Sequence, residues 1–564
     1  MKMFKKIAAA VLAAGMVFSA EVSGTAVYGS ETMFTSGGWY ETAYAEWADS
    51  EAEYAEVSYR KAGDEEYTVI SGDDRALIRQ IDADTARVDI PGLAAGKYDI
   101  KIVTSKRKNF ETSVNVLAED RSGYAHFNRP AESLPYDTSF DGVGAYKDDG
   151  TPKDGADIIY VTNENKNTIE YSGYKGIGVI LSNAKYLHKP LIVRFIGKID
   201  SSVWVLDSET KTITEDCSEG EPIKGLFNRF YTLSEDVNKY TVNAESVWQF
   251  DKVDDPDDTD TYISMLDIKA LKVMGYTGFS NITLEGIGTD TEFVNWGVLF
   301  RYCSSVEVKN ITFSNYQEDG CTAQNANRVW FHRCTFNIGK NLCDLTDEQD
   351  KGDGDGSSDI NACENVTISY CTYNETHKTS LSGNSDSTKQ YNYTYHHNFY
   401  NGCRARLPLA RYVNVHTYNN YVKGTTDTSI SARASAFIFS EANFYEDNNT
   451  VFESKSGSKG NGIIKSYNDI ITTEITVDDF INIVKERNCT IDIAAADSET
   501  NQHLSEKKAE GGYINNFDTN PDYFYYSGGA TAVSYLTDAE TAKTEVENCS
   551  GVLKNDTDYP VVMG

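Results

Sequence analysis

Positive charge is scarce in this chain: 52 Lys and Arg stand against 85 Asp and Glu in 564 residues, for a formal net charge of −33. Such a surface repels nucleic acid, and no basic tract interleaved with aromatics is present to overcome that. Beyond the N-terminal start, no apolar run reaches the about 18 residues that a membrane-spanning helix needs. Cysteine is sparse, ten in the whole chain. Several, such as Cys334 and Cys371, fall at inward positions of a repeat and read as small buried hydrophobes. Helix-length amphipathic segments are also missing between the many short strands, which excludes alternating βαβ units.

What recurs instead is a strand followed by a bend. The segments VEVKNITFSNY, RVWFHRCTFN, NVTISYCTYN, YTYHHNFYN, VHTYNNYV and AFIFSEANFY share that form. One position per segment, from Ile282 in the preceding NITLEGIG through Ile311, Cys334, Cys371, Asn398, Asn420 and Asn443, gives steps of 29, 23, 37, 27, 22 and 23 residues. A short basic step with some lengthened turns is what a stacked solenoid produces, because each rung covers its neighbour's apolar face and pairs its backbone groups. The expected fold is therefore all-β, a parallel β-helix. Asn398, Asn420 and Asn443 are expected to stack their amides along one turn. His396 and His397 read as core or stacking residues that face opposite sides of a strand.

The start, MKMFKKIAAAVLAAGMVFSA, reads as a secretory signal peptide over residues 1–20, cleaved after Ala20, and points to an exported protein. Residues 36–120 read as a small β-sandwich. There WYETAYAEW, YAEVSYRKAG, EYTVI, ARVDIPGL and GKYDIKIVTS are short alternating strands divided by turn signals, and Trp47 is suited to fill the centre. The ending GL-x-x-GKYDIKI resembles fibronectin type III modules, which implies a spacer or packing unit. Residues 121–138 join it to the β-helix, expected over 139–564. The last part, 470–564, holds the helical-looking TVDDFINIVKERN and DAETAKTEVEN and is expected to pack outside the coil or cap its end.

The 37-residue step contains an insert dense in carboxylates, DLTDEQDKGDGDGSSDI. It places Asp355 and Asp359 at a loop-to-strand junction, where two carboxylates can converge on one ion, and Asp319, in QEDG, joins them across the stack. Hard oxygen ligands in a flexible arrangement suit calcium better than zinc, and EF-hand spacing is absent. Basic residues follow the acids: Lys378 in ETHKTSLSG, then Arg406 and Arg411 in CRARLPLARYVNVHTYNN, with Arg404 nearby. Calcium combined with guanidinium groups is a receptor for repeated sugar carboxylates, so an acidic polysaccharide is the expected partner. A cation-dominated cleft also explains how so acidic a chain would admit a polyanion.

These residues carry a family resemblance. Asp319 before the RVWFHRC strand, DG-x-x-D-I from Asp355 to Ile360, a T-I-S strand followed by H-K-x-S-L-x-G ending at Gly383, HHN-F from His396 to Phe399, and R-x-P-x-x-R with VH-x-YNNY from Arg406 to Tyr421 occur in that order. Over most of residues 125–460 the chain resembles the pectate lyases of polysaccharide lyase family one. The resemblance implies a right-handed parallel β-helix, Ca2+ held by Asp319, Asp355 and Asp359, Arg406 as general base, and Lys378 and Arg411 on substrate acid groups. It departs from most relatives at Trp330-Phe331-His332-Arg333, where they read W-I-D-H, and at His377, where many have Asp. His332 is expected to bear on the ion site from the adjoining strand. A secreted monomer is expected.

Breaking a 1,4-linked galacturonan without water requires removal of the C5 proton beside the C6 carboxylate and expulsion of the C4 oxygen. Metal neutralisation of that carboxylate, with Lys378 and Arg411 near the developing charge, lowers the barrier. An arginine base requires a strongly perturbed site and an alkaline optimum. Two other readings stay open. A pectin lyase on methyl-esterified polymer would dispense with calcium, against which the three aspartates weigh. A non-catalytic, adhesin- or tailspike-like β-helix would have no reason to keep acids and bases in register. Hydrolases on this fold need paired aspartates and a water, which a calcium-occupied triad does not provide.

Overall fold

The computed structural model describes residues 34–127, 141–200 apart from 167 and 183–188, strand segments alone within 204–269, and 281–554 apart from 317–318, 340–353, 389, 459, 473–489 and 494–535. The expected signal segment, the helical-looking TVDDFINIVKERN, part of the 121–138 join and the acidic insert before Gly354 lie outside the described residues.

Three parallel sheets wind into one coil. The first runs through Leu191–Asp200, Ile282–Val294, Ser304–Lys309, Asn327–His332, Glu364–Ser369, Tyr391–His396, Asn414–Tyr418, Phe437–Glu441 and Ile463–Tyr467. The second is built from short strands such as Thr372–Asn374 and Phe399–Asn401. The third runs through Gly297–Arg301, Cys321–Gln324, Ile360–Asn361, Leu381–Ser382, Leu409–Arg411 and Thr428–Arg433. Inward positions stay apolar from rung to rung. Val306, Val329, Val366, Tyr393, Val415 and Ile438 form one fully buried register row. Phe313, Phe336, Tyr373 and Tyr400 stack with centroids 4.9 Å apart, which is the strand spacing itself. Cys303, Cys321, Cys334, Cys363, Cys371 and Cys403 are buried free thiols, as small hydrophobes would be.

One bend repeats. Asn310, Arg333, Tyr370, His397, Asn419, Ala442 and Asn468 all take φ between 48° and 56° at the end of a first-sheet strand. Left-handed backbone is costly for most of these residue types, and a side-chain ladder lies beside the last four bends, where its hydrogen bonds offset the cost. Asn398 Nδ2 donates to Asn420 Oδ1 at 3.0 Å and Asn420 Nδ2 to Asn443 Oδ1 at 2.9 Å. The ladder is one rung longer than the sequence suggested: Asp469 Oδ1 accepts the Asn443 backbone N–H at 2.8 Å. The first of the aligned repeat positions also differs from the sequence reading: Ile282 pairs with Val306 while Glu292 pairs with Thr312, so Thr291 stands beside Ile311.

The same bend overturns the expectation that His396 and His397 face apart. Both are core residues, but the left-handed φ of 51° at His397 swings its ring back, and the two Nδ1 atoms meet at 3.0 Å.

The amino-terminal unit is a sandwich of two four-stranded antiparallel sheets, spanning Phe34–Trp39 to Asn109–Val116, with Trp47 fully buried between them. It does not stand apart from the coil. Tyr160 and Ile287 of the coil complete its core, and Glu41 pairs with Arg121 at 2.6 Å. The outward face of the first sheet is covered as well, so the register row Arg194, Glu285, Lys309, His332, Ser369, His396, Tyr418 is buried throughout. Its charges pair with one another: Arg194 lies 3.0 Å and Lys309 3.3 Å from Glu285. The helix Ala539–Cys549 lays Ala539 and Val546 on Tyr421 and Phe444, outside the coil. Among the described residues no helix is long and apolar enough to cross a membrane.

Candidate active site

The acids and bases singled out from the sequence all lie on the third sheet or in the turns leading into it. Asp319 precedes Cys321–Gln324, Asp355 and Asp359 precede Ile360–Asn361, Lys378 precedes Leu381–Ser382, Arg406 precedes Leu409–Arg411, and Arg411 ends that strand. Gly356 bridges to Lys378 and Lys378 to Ala405 in parallel register. Three neighbouring rungs, each about 4.8 Å from the next, thus bring Asp355, Lys378 and Arg406 together.

Gly356 gathers the acids. Its N–H donates to Asp319 Oδ1 at 2.7 Å, and a Cβ there would fall 2.4 Å from Asp359 Cγ. The position adjoining Asp355 therefore has to lack a side chain. Thr322 Oγ1 donates to Asp319 Oδ2 at 2.8 Å, and the Leu381 N–H donates to Asp359 Oδ1 at 2.8 Å. Lys378 Nζ stands 3.0 Å from Asp355 Oδ1.

Asp359 is buried, and its carboxyl is pushed up to about 7, first by burial and next by the charge of Asp355, with the Leu381 N–H, Arg406 and Lys378 acting in the opposite sense. A buried acid whose ionisation a neighbouring carboxylate opposes marks a place where a cation relieves the repulsion. With oxygen donors alone, the set fits calcium.

Arg406 is half-buried with φ 67°, and its carbonyl accepts the Ser380 N–H at 2.8 Å. Its charge is felt by both Asp359 and Arg411. The Arg411 guanidinium is lowered from its ordinary range, by burial first and by Arg433 next, against the pull of Asp386. Arg411 Nη1 donates to the Asn384 carbonyl at 3.1 Å.

Sequence reasoning missed Arg433 and Asp386. Arg433 is the register partner of Arg411, and its Nη2 donates to Asp386 Oδ2 at 3.4 Å. The repeat step that relates Asn398 to Asn420 also relates Arg411 to Arg433, so the signal was present. Arg404 turns to His377, its Nη1 contacting the imidazole Nε2. His332 does not bear on this site. It sits on the first sheet, 3.0 Å from Glu307 and 3.6 Å from Glu119, and burial pushes its imidazole well below the usual range. A second group of potential ligands, Asp120 with His396 and His397, also lies on that first sheet's outward face.

Residues 241–555 match the family model described as pectate lyase. A pectate trisaccharide-lyase of Thermotoga sp. strain RQ2 is 29% identical over 238 residues, 39% of this chain and 57% of the relative. Pectate lyase 3 of Pectobacterium carotovorum is 32% identical over 188 residues, 32% of this chain and 49% of the relative. The match thus spans about half the length of these relatives. The solved pectate lyase Bsp165PelA from Bacillus sp. N165, in complex with trigalacturonate, is 18% identical with a TM-score of 0.43, covering 76% of this chain and 98% of that one.

Proposed function

The chain belongs to the pectate lyase family, and on that premise we propose that it is a secreted, calcium-dependent lyase of de-esterified pectin. The substrate is 1,4-linked galacturonan, and the products are 4,5-unsaturated oligogalacturonides. The observation that carries the reading is the convergence of Asp319, Asp355 and Asp359 around Gly356, one rung from Lys378 and two from Arg406. A non-catalytic β-helix has no need of that register. The amino-terminal sandwich is read as a fibronectin type III-like packing unit.

Asp319, Asp355 and Asp359 are the residues that would hold calcium, which when bound neutralises the substrate carboxylate and lets the adjacent carbon acid ionise. Arg406 takes the proton from C5. The electron pair released forms the C4–C5 double bond as the bond from C4 to the glycosidic oxygen breaks, and that oxygen leaves to be protonated by solvent. Lys378 and Arg411 hold the uronate acid groups and oppose the charge that develops on them. Burial and the neighbouring Arg433 already lower the proton affinity of Arg411. With an arginine as the base, the reading calls for an alkaline optimum.

The test is absorbance at about 235 nm on polygalacturonate at about pH 9, chosen because proton removal by an arginine calls for alkaline conditions, with calcium and then with chelator. A rise that chelator stops supports the reading; no rise on either pectate or methylated pectin sinks it. Arg406→Ala should lower turnover by about 10²–10⁴-fold with an unchanged melting temperature. Asp355→Ala should raise the calcium concentration needed for half-maximal activity, and an unaltered calcium response would remove Asp355 from the ion site.

A further inference from the structure

On the outward face of the first sheet, three side chains that the lyase reading does not use converge on one point. His396 Nδ1 and His397 Nδ1 are 3.0 Å apart, and Asp120 Oδ2 lies 3.6 Å from the first and 4.0 Å from the second. Ligands bound at about 2.0–2.1 Å to one metal ion stand about 3–4 Å from one another. All three residues are at most 1% exposed. We propose that Asp120, His396 and His397 form a buried structural site for a divalent transition metal of the zinc class.

The surroundings hold the donors in place. The His396 ring stacks on Tyr418 at 4.8 Å and the His397 ring on Tyr370 at 4.6 Å, leaving the two imidazoles edge to face. The Tyr370 hydroxyl donates to Asp120 Oδ2 at 3.1 Å, and the Ser122 N–H donates to Asp120 Oδ1 at 2.8 Å. Behind His397, Glu545 of the C-terminal helix places Oε2 3.7 Å from Nε2. A carboxylate backing an imidazole is the usual support for a metal-bound histidine.

Asp120 is fully buried, and a carboxylate held away from water needs a cation beside it. Two imidazole nitrogens with one carboxylate oxygen favour zinc over calcium, which prefers oxygen alone. The donors come from the connection after the sandwich and from the repeating bend, and the backing group comes from the far C-terminal helix. The ion would clamp all three to the first sheet, away from the third-sheet acids, and independently of whether the chain is a lyase.

The experiment measures bound metal on the full chain, purified with zinc and dialysed into calcium buffer. About one zinc per chain is expected. 1,10-Phenanthroline, which leaves calcium in place, should remove it and lower the melting temperature by at least about 3 °C, with zinc restoring both. Cobalt reloading should give a visible d–d absorption band, lost in His397→Gln. Stripped wild-type chain that takes up neither zinc nor cobalt overturns the proposal, whatever the variants do. Zinc retained equally by His396→Gln and His397→Gln overturns it too, by placing the ion elsewhere.

Discussion

Gly356 shows how one missing side chain shapes the site. Its N–H holds Asp319, and its bare Cα lies against the Asp359 carboxyl, where a methyl group would fall 2.4 Å from Cγ. Gly356→Ala must push Asp359 away or shift the turn, at about 1–3 kcal/mol. Calcium titration of activity should then show a requirement raised by at least about tenfold, since 1.4 kcal/mol is a factor of ten in binding. An unchanged titration would mean that the acids do not act as a set. The six acids and bases were legible from the acidic insert, the basic residues that follow it and the family resemblance that their motifs carry. The approach of Gly356 to Asp359 was not, since the alternation of a strand says nothing of what lies against a turn.

Among the elements, the amide ladder has a weak end. Asp469 terminates the Asn398–Asn420–Asn443 stack, with Ser440 and Ser466 hydroxyls each donating to its Oδ2 at 2.6 Å. Burial raises its carboxyl to about 6 from an ordinary 3.8. The folded chain therefore binds that proton more tightly than the unfolded chain, and this contribution to stability falls as pH rises from about 4 through about 6. Asp469→Asn continues the ladder with a group that does not ionise. The variant should exceed wild type by about 1–3 kcal/mol at about pH 7 and match it at about pH 4, read as melting temperature at each pH. Equal differences at both values would show that Asp469 does not titrate in this range. The ladder was visible in the aligned asparagines; its last rung was hidden because Asp replaces Asn there.

At the scale of the molecule, sandwich and coil share one interior. Tyr160 and Ile287 complete the sandwich core, while Glu41 and Arg121 pair at 2.6 Å, both nearly inaccessible. Calorimetry should show one unfolding transition that contains both units. Glu41→Gln strands the Arg121 charge in the interior and should lower stability by about 3–5 kcal/mol. Two resolved transitions, with only the lower one moved, would mean that the units unfold separately. None of this interface was legible from the strand pattern, which marked out the sandwich but not the face it covers.

The sequence by itself determined the repeat, the parallel coil and the order of acids and bases along it, because a solenoid translates register in the chain directly into adjacency in space. Only the tertiary structure decided what covers the coil. Arg333 meets Glu119 across 214 positions, and the buried charges of the first sheet find their partners there and within the sheet. A strand's alternation distinguishes two faces, but which of them meets solvent is settled by segments that are remote in the chain. The pairing of His396 with His397 was decided at the same level. One residue of left-handed backbone reversed the side that alternation assigned, and the connection after the sandwich brought Asp120 to meet them.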